Sequence, residues 1–257
     1  MTKTKISVLM TVFNAENFLK SSIRSIIRQS FLQWELIIID DCSKDNSLNI
    51  IKSFKNKKIK VYKLKRHLGR TKALNYGIKK CKGKYIAILD ADDVSKKNRL
   101  LKQFEFLERN KKFKMASSWY KIVYKDKNSE ILKPSLSNNI FKKHLLINPI
   151  AHSSVMFLKT LAIKLGKYPD KLKYAQDWGL ILKFLKHSQI KILPHYLTDI
   201  TIANNSMTFA TKYKRIIIKD YIENLDYVRK NFNLNFFELV VFNFILIKNK
   251  FKLFLIK

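Results

Sequence analysis

Two groups of carboxylates carry the chemistry that this sequence can do. Asp90, Asp92 and Asp93 fall in the run AILDADD, and Asp40 and Asp41 close the run LIIIDD. Together they are five of nineteen acidic residues, set against fifty-two Lys and Arg, so an acidic composition does not explain the clustering. Alternate carboxylates such as Asp90 and Asp92 can share one divalent cation, and oxygen donors suit Mg²⁺ or Mn²⁺ rather than a metal that seeks thiolate or imidazole. A cation held by one or two protein carboxylates keeps positions open for phosphate oxygens. The plain alternative is that Asp92 or Asp93 caps a helix and the rest are solvated. For Asp40 and Asp41 the choice is between accepting hydrogen bonds from a base or ribose and forming a turn or cap before the next helix. No glycine-rich cradle competes for phosphate, because neither GxGxxG nor GxxxxGK[ST] occurs and the chain has only five Gly.

The elements that must position these groups alternate through the first 124 residues. Ile6–Val12, Glu35–Ile39, Ile59–Leu64, Tyr85–Leu89 and Met115–Tyr124 read as strands, and ELIII is too uniformly apolar for a sheet with one wet face. Between them, Leu19, Ile23, Ile26 and Ile27 mark one face of a helix, as do Leu48, Ile51 and Phe54, then Ala73, Leu74 and Ile78, then Leu100, Phe104 and Leu107. Asp45 or Asn46 can cap the second of these helices, and Gly83 is placed to end the third. The alternation predicts an α/β fold with a mainly parallel sheet flanked by helices. Ligands in such sheets bind beyond the carboxyl ends of the strands, where Thr11–Asn14, Asp40–Asp41 and Asp90–Asp93 all lie. After Lys125 the pattern loosens: a loop, a short helix around Ile140–Ile147, a strand His152–Leu158, short helices Thr160–Leu165 and Trp178–Leu185, and two short strands around Pro194. Lys212–Lys230 and Phe236–Lys257 read as helices.

The formal charge is +33. That excess draws a chain toward polyanions, yet only eight of the fifty-two basic residues are Arg, and Ile, Asn and Phe are also abundant. An AT-rich genome accounts for much of such a profile. The Lys are scattered rather than set among surface aromatics, so no nucleic-acid partner is expected. Cys42 and Cys81 form no disulfide framework and no metal-ligand spacing, which points to a reducing cytoplasm. The N-terminal MTKTKISVLMTVF reads as a first strand, not as a signal peptide. No segment reaches the apolar length needed to span a bilayer; the nearest, Phe236–Ile247, is broken by Glu238 and Asn243. The terminal KNKFKLFLIK interleaves Lys with apolar residues, which fits a helix on an anionic membrane surface or one packed on the core.

Taken in order, ISVLMTVFNAENFLKSSIRSIIRQSFLQWELIIIDDCSKDNS, GRTKALNYGI, GKYIAILDADD, NRLLKQFEFLE, NPIAHSSVMF and GKYPDKLKYAQDWGLILKF resemble the family-2 glycosyltransferases of GT-A fold over residues 5–190. The resemblance implies inverting transfer from a nucleotide-diphosphate sugar, commonly UDP-linked, with Mn²⁺ or Mg²⁺, to a hydroxyl of a glycan or lipid-linked glycan, as in bacterial surface polysaccharide synthesis. It implies Thr11, Phe13, Asp40, Asp41 and Asp90 as donor-binding, with Asp41 toward the base. Asp92, with Asp90, is implied for the metal, Asp93 as accessory, and Asp177 as the catalytic base. Gln176 departs from the family's usual Glu-Asp pair; the change removes a like charge beside Asp177 and alters acceptor handling while leaving activity expected. Arg70 stands where relatives often carry an apolar residue, and with Lys72 can reach the diphosphate, or can simply be solvated. His152 is either a diphosphate or metal contact or a structural histidine, and Trp178 either stacks on a sugar or anchors the core. The division expected is a GT-A domain over 1–210, with halves 1–124 and 125–210, followed by a basic helical extension over 211–257. The competing readings are a nucleotide-sugar-binding relative without transferase activity and, on the charge alone, a basic nucleic-acid-binding protein. The location expected is the cytoplasm, peripheral to the inner membrane face.

Overall fold

The computed structural model describes residues 4–124, 129–134, 146, 148–202 and 213–255. The helix expected around Ile140–Ile147 and the division near residue 210 lie outside the described residues.

Strands β1 (Ile6–Val12), β2 (Trp34–Asp40), β3 (Ile59–Lys63) and β4 (Tyr85–Ile88) form a parallel block in the order β3-β2-β1-β4. Side chains alternate across it. Leu9, Ile37, Ile39, Ile86 and Ile88 face one core; Ile6, Val8, Met10, Leu36, Ile38 and Ala87 face the other. Both faces are covered, which is why ELIII could be apolar throughout. On the second face lie α1 (Glu16–Ile27), α2 (Ser47–Ser53) and α4 (Arg99–Arg109), which contribute Leu19, Ile23, Ile26, Ile51, Leu100 and Leu107. Ile27 departs from the expected stripe and is 36% exposed, since eight residues carry it about 80° round the helix from Leu19. The first face is covered by α3 (Arg70–Lys80), which packs so closely on β1 that a Cβ at Gly77 would stand 2.3 Å from Leu9 Cδ1.

Beyond β4 the sheet becomes mixed. β8 (Met156–Leu158) pairs antiparallel with β4 and with β6 (Phe113–Tyr124), and β6 pairs parallel with β9 (Gln189–Ile202). The short β5 (Val94–Ser95) and β7 (Glu130–Leu132) pair antiparallel with β9 and β6. The two short strands expected around Pro194 are one strand: Leu193 pairs with Ser118 and Tyr196 with Trp119, so Pro194 and His195 are left out of the ladder. Proline has no N–H to give to a ladder, and a bulge accommodates it. The strand expected over His152–Leu158 begins instead as a tight turn, His152–Ser154, before β8.

Helices α5 (Lys159–Lys164), α6 (Gln176–His187), α7 (Lys214–Asn231) and α8 (Phe236–Leu255) follow. Trp178, Leu182, Leu225, Val228, Phe242 and Leu246 join the core of the first sheet face. Asn235 and Glu238 cap α8 reciprocally: Glu238 N–H donates to Asn235 Oδ1 at 2.9 Å, and Asn235 N–H to Glu238 Oε2 at 2.7 Å. No helix among the described residues is long and apolar enough to cross a membrane.

Candidate functional site

The parallel ladder sets the acidic clusters at one level. Val12 pairs with Asp40 and Leu9 with Ile88, so the residues after β1, β2 and β4 emerge along one edge of the sheet. Asp45 holds two of the loops there, accepting from Glu16 N–H at 3.0 Å and from Ser47 N–H at 3.0 Å. Ser22 Oγ donates to the Ala91 carbonyl at 2.7 Å and so fixes the Asp90–Asp93 turn against α1.

The Asp40–Asp41 pair divides its work. Asp41 accepts from Leu68 N–H (2.7 Å) and Gly69 N–H (2.8 Å), one on each carboxylate oxygen, and so anchors the loop into α3. Gly69 has φ +86°, a conformation that side chains resist. Asp40 is fully buried; Oδ1 accepts from Ser43 N–H at 3.2 Å, whereas Oδ2 has no partner among the described residues. A buried carboxylate oxygen without a partner is uncommon in a folded protein. Phe13 is 46% exposed, and its ring lies 4.1 Å from that of His67, whose Nδ1 is 3.0 Å from Asp41 Oδ2. His67 was not foreseen; its only signal was its place in the loop between β3 and α3. Thr11, at the end of β1, is half-buried, and Lys72 points out into solvent.

The Asp90–Asp93 turn is the electrostatic centre. Arg70 Nη2 donates to Asp90 Oδ2 at 2.5 Å and to His152 Nδ1 at 2.8 Å. A guanidinium can only donate, so Nδ1 is the accepting nitrogen of His152, and Nε2–H is left to donate to the Tyr168 hydroxyl at 2.8 Å. Asp90 N–H donates to Ser153 Oγ at 2.9 Å. Burial pushes the Asp90 carboxyl up, but its neighbours Arg70 and His152 together outweigh burial and hold it well below the usual carboxylate range. For Asp92, burial and then the Asp90 charge outweigh the Arg70 charge and push it up to about 6. Burial first, then Asp92 and Asp90, pushes Asp93 well above the usual range, and its Oδ1 accepts from Thr201 N–H at 2.9 Å. Under the turn, fully buried Arg99 donates to the Ile88 and Val155 carbonyls at 2.8 and 3.0 Å. Burial lowers its guanidinium to about 9.

Asp177 comes to the same place from the other side. It lies in the first turn of α6 and accepts from Asn148 Nδ2 at 3.1 Å. The Arg70 guanidinium feels Asp90 most, then Asp177 and Asp92, so all three carboxylates lie within electrostatic reach of one cation. The turn ahead of Asp177 is gripped by α7: Asp220 Oδ2 accepts from Lys173, Tyr174 and Ala175 N–H (2.6, 2.6 and 3.2 Å), and Asn224 Nδ2 donates to the Ala175 carbonyl at 2.9 Å. From α3, Thr71 donates to the Leu172 carbonyl and Asn75 to the Tyr168 carbonyl. Tyr168, Asn148, Asp220 and Asn224 carried no sequence signal that singled them out. Gln176 is buried with its Oε1 unpartnered among the described residues. Trp178 is also buried, its ring 4.7 Å from that of Tyr221, which is the core placement.

Among the described residues no group of three His, Cys, Asp or Glu is arranged as a metal cage. The donor set nevertheless fits a hard divalent ion, since Asp92 and Asp90 supply carboxylate oxygens rather than thiolate or imidazole. A separate groove of about 590 Å³, between α1 and β5, is lined by Lys20, Arg24, Arg28, Lys96 and Lys97 and includes none of the three carboxylates within reach of Arg70.

The chain is 31% identical to an uncharacterised glycosyltransferase of Methanocaldococcus jannaschii, with 96% of this chain and 90% of that protein covered. Another uncharacterised glycosyltransferase, from Rickettsia conorii, is also 31% identical over 96% of this chain, but the chain spans only 42% of its length. Among solved structures, Staphylococcus aureus TarS 1–349 in complex with UDP-GlcNAc superposes with a TM-score of 0.72 over 96% of this chain and 72% of that one, at 20% identity. The mannosyltransferase PcManGT of Pyrobaculum calidifontis, in complex with GDP-Man and Mn²⁺, gives 0.70 over 97% and 74%, at 12% identity. At such identities the likeness is one of fold, and that fold is GT-A. The model of glycosyl transferase family 2 matches residues 7–164, more than half of the sequence and all of the parallel block with its acidic edge. The chain belongs to glycosyl transferase family 2.

Proposed function

We propose that this glycosyltransferase moves a sugar, with inversion, from a nucleotide-diphosphate donor, UDP-linked, to a hydroxyl of a glycan or lipid-linked glycan. The observation that carries the reading is the convergence of Asp90, Asp92 and Asp177 on Arg70, from opposite halves of the chain. Inversion needs a base on the acceptor side and a stabilised leaving group on the other. Asp177 takes the proton of the acceptor hydroxyl while its oxygen bonds to the anomeric carbon; the bond from that carbon to the diphosphate oxygen breaks, and the diphosphate leaves with the electron pair. Asn148 orients the base through its hydrogen bond to Oδ2. Asp92, with Asp90, would hold Mn²⁺ or Mg²⁺, which offsets charge on the departing diphosphate. Phe13 and Asp40 offer the nucleoside an exposed ring and an unpartnered buried oxygen. Gln176 leaves Asp177 without the like-charged neighbour of the usual pair.

Asp177→Asn is expected to lower kcat by about 10³-fold while donor binding, measured by calorimetry, is kept. Asp92→Ala is expected to lose Mn²⁺-dependent donor binding. Full transfer rate in Asp177→Asn would remove the base assignment.

The location follows from α8. Phe236, Phe237, Phe244, Phe251 and Phe254 are all more than half exposed, and Lys248, Lys250 and Lys252 stand among them. A helix of this make-up suits the headgroup region of an anionic membrane, where Lys meets phosphate and Phe meets acyl chain. A second copy of a +33 chain is repelled from the same face. The acceptor is then a lipid-linked or envelope glycan at the cytoplasmic face, as in surface polysaccharide synthesis. Because Phe242 and Leu246 belong to the core, the test is Phe251→Ser with Phe254→Ser rather than deletion of α8. The double variant should no longer sediment with anionic vesicles; sedimentation equal to the parent's would sink the membrane assignment.

A further inference from the structure

Arg70 is one of only eight arginines among fifty-two basic residues, so a lysine-favouring composition does not account for it. It sits on Asp90, one of the two carboxylates assigned to the metal. Its Nη2 lies 2.5 Å from Asp90 Oδ2 and 2.8 Å from His152 Nδ1, and its charge is felt by Asp90, Asp177 and Asp92. The side chain is partly buried, and its Nε is buried with no partner among the described residues. Asp90 keeps a second oxygen that a divalent cation could take, but with the guanidinium at this distance two positive charges share one negative group and each weakens the other's hold. A cation arriving alone therefore binds against the Arg70 charge, weakly unless Arg70 is drawn away from Asp90. The guanidinium, once drawn away, needs another anion, and a diphosphate matches its planar fork of donors.

We propose that Arg70 is a built-in counter-cation that competes with the divalent metal for Asp90, and that the donor's diphosphate ends the competition by accepting the guanidinium. The proposal rests on the assignment of Asp90 and Asp92 to the metal. It makes Arg70 a positioning residue that couples two binding events. Metal alone binds weakly, nucleotide alone binds weakly, and each strengthens the other by the same factor, as linkage requires. It also gives a use to the departure from an apolar residue at this position.

The test is Mn²⁺ binding, followed by loss of the free-ion EPR signal, for the 257-residue chain with and without UDP, and with GDP in parallel. The parent should bind Mn²⁺ alone weakly and at least about tenfold more tightly with nucleotide. Arg70→Gln should bind Mn²⁺ alone at least about tenfold more tightly than the parent and gain less from nucleotide. Arg70→Lys, which keeps the charge but loses the fork, should bind Mn²⁺ alone as weakly as the parent. Arg70→Gln that folds by circular dichroism yet binds Mn²⁺ no more tightly than the parent overturns the proposal. So does a parent that gains nothing from nucleotide, or an Arg70→Lys that binds Mn²⁺ alone much more tightly than the parent; those two results stand even if Arg70→Gln fails to fold. Mn²⁺ binding that is lost in Asp92→Ala but indifferent to Arg70 removes only the counter-cation. No Mn²⁺ binding by any form, with either nucleotide present, removes the metal assignment itself and the proposal with it.

Discussion

Asp40 is the last residue of β2, and Asp90 stands two residues beyond the end of β4; a continuous parallel ladder sets the height of both. Asp177 has no strand beneath it. It begins a helix whose entry is held by Asp220 and Asn224 from α7 and by Thr71 and Asn75 from α3, residues about 45 to 105 positions away in the chain. The first arrangement is positioned by local pattern and ladder register, the second by side-chain hydrogen bonds between distant segments. The two should therefore fail differently. Damage to the sheet half should show as lost stability alone, and damage to the clamp on α6 as lost turnover as well.

The largest effect is expected at the clamp. Asp220→Ala strips the acceptor from three part-buried backbone N–H groups at once, which costs about 1.5–4.5 kcal/mol at about 0.5–1.5 kcal/mol for each hydrogen bond lost. An ångström of drift in Asp177 lowers kcat by about 10²-fold. Denaturant melts and steady-state kinetics on the folded fraction check both, and Asp220→Asn, which keeps an acceptor, should recover part of the rate. A variant that lost stability but kept full kcat would show that the clamp does not position the base.

Gly77→Ala probes the other region. Its Cβ would collide with Leu9 Cδ1, so overpacking should cost about 1–3 kcal/mol. The folded fraction should keep most of its kcat, because the collision is with the far end of the flexible Leu9 side chain and not with Arg70, Thr71 or Asn75 on the same helix. If kcat fell as far as in Asp220→Ala, the contrast between the halves would collapse.

The smallest effect concerns Glu35, a buried carboxylate within β2. Burial raises its pKa, but hydrogen bonds from Ser7 Oγ (2.7 Å), Lys82 N–H (2.6 Å) and Lys60 (3.0 Å) outweigh burial and leave it lowered. A carboxylate lowered on folding stabilises above its unfolded pKa, and the contribution is lost as pH falls through the folded value. Glu35→Gln should therefore cost about 1–2 kcal/mol near neutral pH, with the gap to the parent closing as pH falls below the ordinary Glu range. A gap that stayed constant from neutral to acid pH would mean that the ionised form is not what stabilises. Turnover at neutral pH should be unchanged.

How far the sequence carried can be read from individual residues. The strands of the parallel block, their helices and the acidic turns that follow them were all visible, because a buried strand needs an apolar run and the chain must turn polar where it leaves the sheet. The strand expected at His152–Leu158 shortened, because its first residues turn to bring His152 and Ser153 to Asp90. The strand broken in expectation at Pro194 is continuous, since a bulge can host proline without ending the ladder. The resemblance assigned Asp41 to the base, whereas both of its oxygens hold the loop at Leu68 and Gly69 and its neighbour Asp40 keeps the free acceptor. Which partners each of two adjacent aspartates takes is a matter of side-chain direction, and a pair of letters does not encode it.

By itself, then, the sequence determined that a two-sided parallel sheet would form and that its scarce carboxylates would gather at one edge, since periodicity and scarcity are properties of the linear chain. Only the tertiary structure decided that Asp177 meets that edge, that α7 and not a neighbouring residue holds it there, and that Arg70 stands within electrostatic reach of all three carboxylates. Those facts depend on contacts between segments far apart in sequence, whose energies exist only once the chain has closed upon itself.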